Sequence, residues 1–192
     1  MADFAAIFLG ACLVNNLVLD AMLGIPAAIA VSRKISAAVN MSLAMLIAMT
    51  LSTVITYTVY RYVLVPLDIE LLQTISFLLI ITVTIKGSEF LIARIGKELH
   101  ARIRMYIPLT LVNSTVLGAG LLGVQKVSGV IFAAFFGIGA ATGLALVTIA
   151  MAAMHDRHGS MDVPGPFRGL PVTLVTLGIM AMAFMGFTGV IQ

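Results

Sequence analysis

Residues 13–26 read LVNNLVLDAMLGIP: two asparagines and an aspartate set inside an apolar run that begins near Phe4, closed by a glycine and a proline. What these polar residues mean depends on the solvent around them, and composition decides that. Of the 192 residues, 61% are hydrophobic and only 10% are charged, and the mean hydropathy is +1.14. So little polar surface cannot cover a water-soluble globule of this length. The chain therefore reads as an integral membrane protein, and the stretch at 13–26 as an interruption within a membrane segment. Outward from it, polar clusters divide the sequence into six apolar stretches, at about 4–31, 36–60, 71–93, 105–124, 128–154 and 170–191. Each approaches the roughly 20 residues that a helix needs to cross a bilayer. None alternates with period two as a lipid-facing barrel strand would, so the expected fold class is all-α, one membrane domain of six transmembrane helices over residues 1–192. Small-residue patterns such as GIGAATG at 137–143 are expected to let helix backbones approach closely.

Charge gives orientation. Arg33, Lys34, Arg94, Lys97, Arg102, Arg104, Arg157 and Arg168 follow the odd-numbered stretches, whereas only Arg61 and Lys126 follow even-numbered ones. The positive-inside rule then places the odd-numbered loops in the cytoplasm and both termini outside, in the cytoplasmic (inner) membrane of a cell. The formal charge of +3 lies in these loops, so it orients the chain in the bilayer and signals no nucleic-acid partner. The opening Met1, Ala2, Asp3 lacks the basic start of a secretory signal, and the first apolar stretch is expected to stay in the mature chain. A single cysteine, Cys12, allows neither an internal disulfide nor a cysteine-pair metal site within this chain.

The opening stretch has an echo. LVNNLVL at 13–19 returns as LVNSTVLG at 111–118, 98 residues further on. Three stretches separate the copies, so the second would cross the membrane in the opposite sense, the inverted-repeat arrangement of many transport proteins. The repeats would cover about 1–96 and 97–192. Both copies carry helix-disturbing residues, Gly24 and Pro26 after the first, Pro108 before the second and Gly118 and Gly120 within it. Helices one and four are thus expected to be broken, their exposed ends facing each other near the midplane, with Asn15, Asn16 and Asn113 satisfying the freed backbone groups along a pathway through the bundle.

These motifs, together with AVSRK at 30–34, DVPGPFRG at 162–169 and AFMGFTGV at 183–190, closely resemble the RnfA/NqrE-type membrane subunits of the Rnf and sodium-pumping quinone reductase complexes, in order and over the whole chain. The resemblance implies a six-span inverted-repeat subunit paired with a paralogous membrane subunit of opposite topology (RnfE/NqrD type). Both would sit in a complex that couples electron transfer between ferredoxin or NADH and another carrier to sodium or proton movement. Flavins and further iron-sulfur clusters are expected on the other subunits. In that family each broken span offers a cysteine, one in an LG-x-C sequence and one directly after the Asn of VN-C, and these share a mid-membrane [2Fe-2S] cluster with the paralogue. Here Pro26 and Ser114 occupy those places. Neither replaces a thiolate for cluster iron, so no cofactor is expected to be ligated by this chain. The cluster is then absent, held by the partner with other ligands, or bypassed by the electron path. Cys12 lies outside both motifs and reads as a small buried apolar residue.

Three ionisable residues fall within apolar stretches: Asp20, Lys86 and Glu89. Such residues cost about 2.5–3.5 kcal/mol each at a helix centre and need partners or water. Lys86 and Glu89, three apart, share a helix face and can pair; alternatively, Lys86 extends to the interface. Asp20, four residues after Asn16 and beside the expected break, is expected to face the bundle interior, pairing with Lys86 or exchanging a proton or sodium ion. His100, His155 and His158 lie in loops with no third ligand pattern, and read as solvated. Tyr57, Tyr60 and Tyr62 read as interface anchors, and Arg168 as an interface anchor or a docking point for a soluble subunit. There is no phosphate loop, dinucleotide fingerprint or nucleophile with its base, so no independent active site is expected. Three functional classes are compatible with the residues: a subunit of a redox-driven ion pump, an independent small transporter, and a structural subunit that has lost its redox centre.

Overall fold

A computed structural model of the chain describes residues 2–111, 113–158 and 164–187. The described residues form helices joined by turns, with no strand among them, and three helices are long and apolar enough to cross a membrane: 35–64, 70–94 and 130–157. In chain order the helices are α1 (Ala2–Leu9), α2 (Ile25–Val31), α3 (Ile35–Val59), α4 (Gln73–Ile95), α5 (Lys97–Ile103), α6 (Ile107–Leu111), α7 (Ser114–Lys126), α8 (Val130–His158) and α9 (Leu170–Met185). π turns extend α1 over Gly10–Val14 and α3 over Tyr60–Leu64.

The centre of the molecule is the pair α3 and α8, which run antiparallel. Ser42 Oγ lies 3.1 Å from Thr148 Oγ1 near one end of the pair. Towards the other, Gly137 lies against Thr50 and Thr53. Met41, Met45, Met49, Ala140, Ala141, Leu144 and Val147 fill the seam, all buried. Where lipid supplies no hydrophobic drive between helices, close backbone approach supplies the attraction, and the GIGAATG segment does this on two sides. Gly137 faces α3, while Gly139 and Gly143 face the first helix and its extension. A Cβ on Gly139 would come within 2.6 Å of the Phe8 carbonyl oxygen, and one on Gly143 within 2.7 Å of that of Cys12. α1 accordingly lies parallel to α8, with Phe4 stacked on Phe132 at a centroid distance of 4.7 Å. Hydroxyls along α3 and α8 return to carbonyls of the preceding turn, as Thr53 Oγ1 does to Met49 O at 2.7 Å and Thr148 Oγ1 to Leu144 O at 2.8 Å. Ser52 Oγ on α3 is the exception, buried and without a hydrogen-bond partner among the described residues.

α4 and α9 form the periphery. Ile75, Leu79, Val83, Ile179 and Met182 point away from the core, a surface suited to lipid or to another membrane subunit.

Two sequence expectations need correction. Gly118 and Gly120 do not interrupt the fourth stretch: α7 runs unbroken through both. They are small because neighbours press on them, the Leu23 side chain on Gly118, and Thr56 and Phe77 on Gly120. The basic segment after α4 is also no plain loop. It forms α5, which sends Ile103 into the core while Arg102 and Arg104 stay exposed. The far end of the sixth stretch, the start of DVPGPFRG and Gln192 lie outside the described residues.

Candidate functional site: two helix breaks in contact

The first apolar stretch is not one helix. After the π turn the backbone leaves helical geometry at Asn15, wanders through residues 15–24 and resumes helix as α2. Gly24 stands at the restart with φ +74°, a left-handed conformation that glycine adopts without steric cost, and Pro26 sits in the first turn of α2, where its missing N–H deprives no carbonyl of a partner. In the fourth stretch α6 ends at Leu111 and α7 begins at Ser114, with Pro108 in the short α6.

An asparagine closes each break. Asn16, 1% exposed, accepts from Val18 N–H through Oδ1 at 3.0 Å and donates through Nδ2 to the Cys12 carbonyl at 2.9 Å. Asn113 caps α7, its Oδ1 accepting from Thr115 N–H at 3.0 Å and from Thr115 Oγ1–H at 2.8 Å. Both side chains thus stand in for a lost helical carbonyl, bonding a backbone N–H two residues on. The geometry shifts the sequence echo by one residue. LVNN and LVNS pair Asn15 with Asn113, yet Asn16 does the equivalent work. The π turn explains the shift: its i to i+5 bond, Asn15 N–H to Gly10 O at 2.7 Å, carries one residue more before the break.

The two breaks touch. Gly24 N–H donates to Ser114 Oγ at 3.0 Å, joining positions 90 residues apart. Gly24 is bare on the side facing α7: a Cβ there would collide with Thr115 Oγ1 and lie 2.8 Å from Asn113 Oδ1. Beside this contact opens a cleft of about 390 Å³ lined by Gly24, Pro26, Ala27, Ala30, Pro108, Leu109, Asn113 and Ser114. Pro26 and Ser114, where the sequence resemblance leads one to expect cluster cysteines, share this cleft. Their chemistry does not suit an iron-sulfur cluster: proline has no ligand atom, and the Ser114 hydroxyl is engaged by Gly24. Cys12, buried in the π turn, lines neither this cleft nor the one described next. This chain supplies no sulfur ligand there.

Asn15 faces the other way. Its Oδ1 accepts from Lys126 Nζ at 2.7 Å, at a second cleft of about 250 Å³ between α1, the end of α7 and α8. Lys126, expected in an outer loop, closes α7 and reaches the first break. It and Thr115 are the site residues that sequence reasoning missed. The available signal was a lone lysine ending a glycine-rich apolar helix, and for Thr115 the Asn-x-Thr spacing of a capped turn.

The charged candidates fall outside this meeting point. Lys86 and Glu89 pair as their spacing predicts, Nζ to Oε2 at 3.2 Å, on the outer side of α4 with Lys86 59% exposed. The alternative pairing with Asp20 is not formed. Asp20 is exposed at the outer edge of break one, where its backbone N–H donates to Asn16 O at 2.8 Å, and its carboxylate has no ion-pair partner among the described residues. The physical reason is local: the turn buries Leu17, Val18 and Leu19 and so directs Asp20, Ala21 and Met22 outward. Among the described residues no group of three or more His, Cys, Asp or Glu could hold a metal ion.

Long apolar helices packed with two interrupted ones, the interruptions meeting at a small cleft, define a multi-pass membrane protein of the broken-helix class. Comparison with known proteins gives the family. The chain belongs to the Rnf-Nqr subunit family of membrane proteins, whose profile matches residues 4–191. It is 40% identical, over the full length of both chains, to the A-type subunit of the ion-translocating oxidoreductase complex of Shewanella pealeana. The subunits of the same name from Shewanella piezotolerans and Pseudoalteromonas translucida are each 39% identical, again over the whole of both chains.

Proposed function

We propose that this chain is the A-type membrane subunit of an ion-translocating, electron-transferring complex, with no active site of its own. The observation that carries the reading is the contact between the two breaks, Gly24 on Ser114, in a chain that its family members match from end to end. In this reading the six stretches cross the inner membrane as two inverted three-helix repeats, with both termini outside. A paralogous subunit of opposite topology packs alongside, and other subunits carry the flavin and iron-sulfur centres. The breaks, with Asn15, Asn16 and Asn113, line the pathway that ion movement uses. Asp20, Lys86 and Glu89 join it at the surface of the chain, where a neighbouring subunit closes around them. Electrons cross this level of the membrane without a thiolate from this chain.

Purification of the tagged chain tests the reading: flavin- and iron-containing subunits are expected to co-purify, and a chain isolated alone and active in transport would contradict it. Within the complex, Asp20→Asn is expected to preserve assembly and lower ion-coupled electron transfer. Full coupled activity for Asp20→Leu in reconstituted vesicles would remove Asp20 from the pathway. A second reading, a structural subunit without a redox role, is favoured by the engaged Ser114 hydroxyl and by Pro26. Unchanged electron transfer after the partner subunit's own cluster ligands are removed would establish it.

A further inference from the structure

Break one lies at mid-depth. Gly143, against which Cys12 O and Asn16 Nδ2 press, stands at the middle of the 29-residue α8, roughly 20 Å from either end at 1.5 Å per residue. Asp20 N–H donates to Asn16 O at 2.8 Å, so Asp20 lies within about one helical turn of that level. There the chain turns a stretch that is not helix to its outside. Asp20, Ala21 and Met22 are all exposed, the Ala21 and Met22 N–H groups donate to no described residue, and the Asp20 carboxylate has no ion-pair partner among the described residues. Met22 holds a left-handed φ of +54° with its side chain 68% exposed. Leu17, Val18 and Leu19 occupy the interior beneath, so the stretch cannot fold inward. Lys86, the cation within this chain's own apolar stretches, is engaged by Glu89 on α4. Hydrocarbon cannot cover residues 20–22: irregular backbone at membrane depth persists only against protein or a water-filled cavity, and a bare carboxylate is costly there.

We propose that the outer edge of break one, residues 20–22, is the seat of a neighbouring membrane subunit, which pairs a lysine or arginine side chain with the Asp20 carboxylate and receives the Met22 side chain in an apolar hollow. Two observations select this cover. The exposed carboxylate calls for a positive partner, which lipid tails do not supply. The Met22 side chain beside it is apolar, and a water-filled cavity would leave it wet. An apolar side chain set next to a charge that needs a desolvated partner is the make-up of an interface centre. The proposal rests on the multi-subunit reading above and names the chemistry of the neighbour that closes around Asp20.

The test uses the full complex, purified through a tag on another subunit. The photo-reactive residue p-benzoylphenylalanine in place of Met22 is expected, on irradiation, to join this chain to one other membrane subunit at a segment that holds a lysine or arginine. Crosslinks to lipid alone, to a second copy of this chain, or to a segment without a basic residue would overturn the proposal. Asp20→Lys sets like charges against each other and is expected to lower recovery of this chain with the tagged subunit by at least about tenfold. Exchanging the identified basic residue for aspartate in the same cells is expected to restore recovery, which a mere folding defect of Asp20→Lys would not allow. Recovery of Asp20→Lys equal to wild type, or no restoration by the exchange, would overturn the proposal. Should the probe at position 22 prevent assembly, the exchange is run on each lysine and arginine within the spans of the other membrane subunits, and failure of all of them overturns it equally. A complex that keeps its flavin and iron while the crosslink finds only lipid removes this proposal and leaves the subunit reading standing; a chain that purifies alone removes both.

Discussion

Break four ends one helix at Leu111 and starts the next at Ser114, whereas break one needs residues 15–24 to do the same. The short break is a cap and little else: Asn113 holds Thr115, and α7 proceeds. The long break is a small folded unit. Asn16 turns the chain, Leu23 N–H returns to Leu17 O at 2.9 Å, and Leu17, Val18 and Leu19 are buried beneath. An asparagine ends the helix in both places, and the residues after it decide how far the chain travels before helix resumes. After Asn113 come Ser114 and Thr115, which open α7 at once under the Asn113 cap. After Asn16 come three apolar residues that must first be buried, and the chain then needs the left-handed turn at Gly24 to re-enter a helix.

That contrast can be broken most forcefully at Gly24. Gly24→Ala combines a left-handed residue, costing about 1–2 kcal/mol, with a collision against Thr115 and Asn113, and a total loss of roughly 2–5 kcal/mol is expected on heat or denaturant unfolding. Gly165→Ala, where a Cβ meets nothing within 4 Å, is the matched control and should be close to silent. The asparagines come next. Asn16→Ala leaves the buried Cys12 carbonyl and Val18 N–H without partners and is expected to cost about 1–3 kcal/mol. Asn113→Ala removes a helix cap, for about 1–2 kcal/mol. Asn15→Ala, whose side chain serves Lys126 and no backbone group, should cost less than either; a larger loss than for Asn16→Ala would show that Asn15, not Asn16, closes break one.

Smaller again is the surface of α4. A double-mutant cycle with Lys86→Met and Glu89→Gln should give a coupling within about 1 kcal/mol, the range of exposed ion pairs. The smallest expected effect is that of Cys12→Ala on the iron content and cluster spectra of the assembled complex, which should not change. A loss of about two irons per complex on that single change would mean that this thiol does ligate a [2Fe-2S] centre.

Much of the fold is legible in the sequence, because the membrane turns hydropathy and small-residue spacing into strong constraints. The three long helices and the close packing at GIGAATG follow from local chemistry. So does the pairing of Lys86 with Glu89, which needs only helical spacing. Gly24 and Pro26, read as closing the first apolar run, instead stand where helix resumes. The features that are not legible depend on where distant segments lie. Lys126 reads as a loop cation until α7 is seen to end at the first break. Asp20 reads as an interior residue because its span looks mid-membrane, yet the apolar residues before it claim the interior first. Gly118 and Gly120 read as breakers because glycine loosens an isolated helix; their role is set by Leu23, Thr56 and Phe77, which no local pattern identifies. In the candidate site the asparagines and the two substituted cluster positions are visible as residues, but the hydroxyl of Ser114 as a bridge to Gly24 is not.

The central claim is that the two breaks are held together by this chain's own hydrogen bonding at Gly24 and Ser114, with no sulfur ligand from it. Hydrogen exchange at the Gly24 amide, measured in the assembled complex for wild type and Ser114→Ala, tests it most directly. Removing the acceptor leaves the part-buried N–H without a partner, at a cost of about 1–3 kcal/mol. The Gly24 amide is therefore expected to be protected in wild type and to exchange at least about tenfold faster in Ser114→Ala, the factor that 1.4 kcal/mol represents. Equal exchange in the two proteins would show that the breaks do not depend on each other, and would contradict the account.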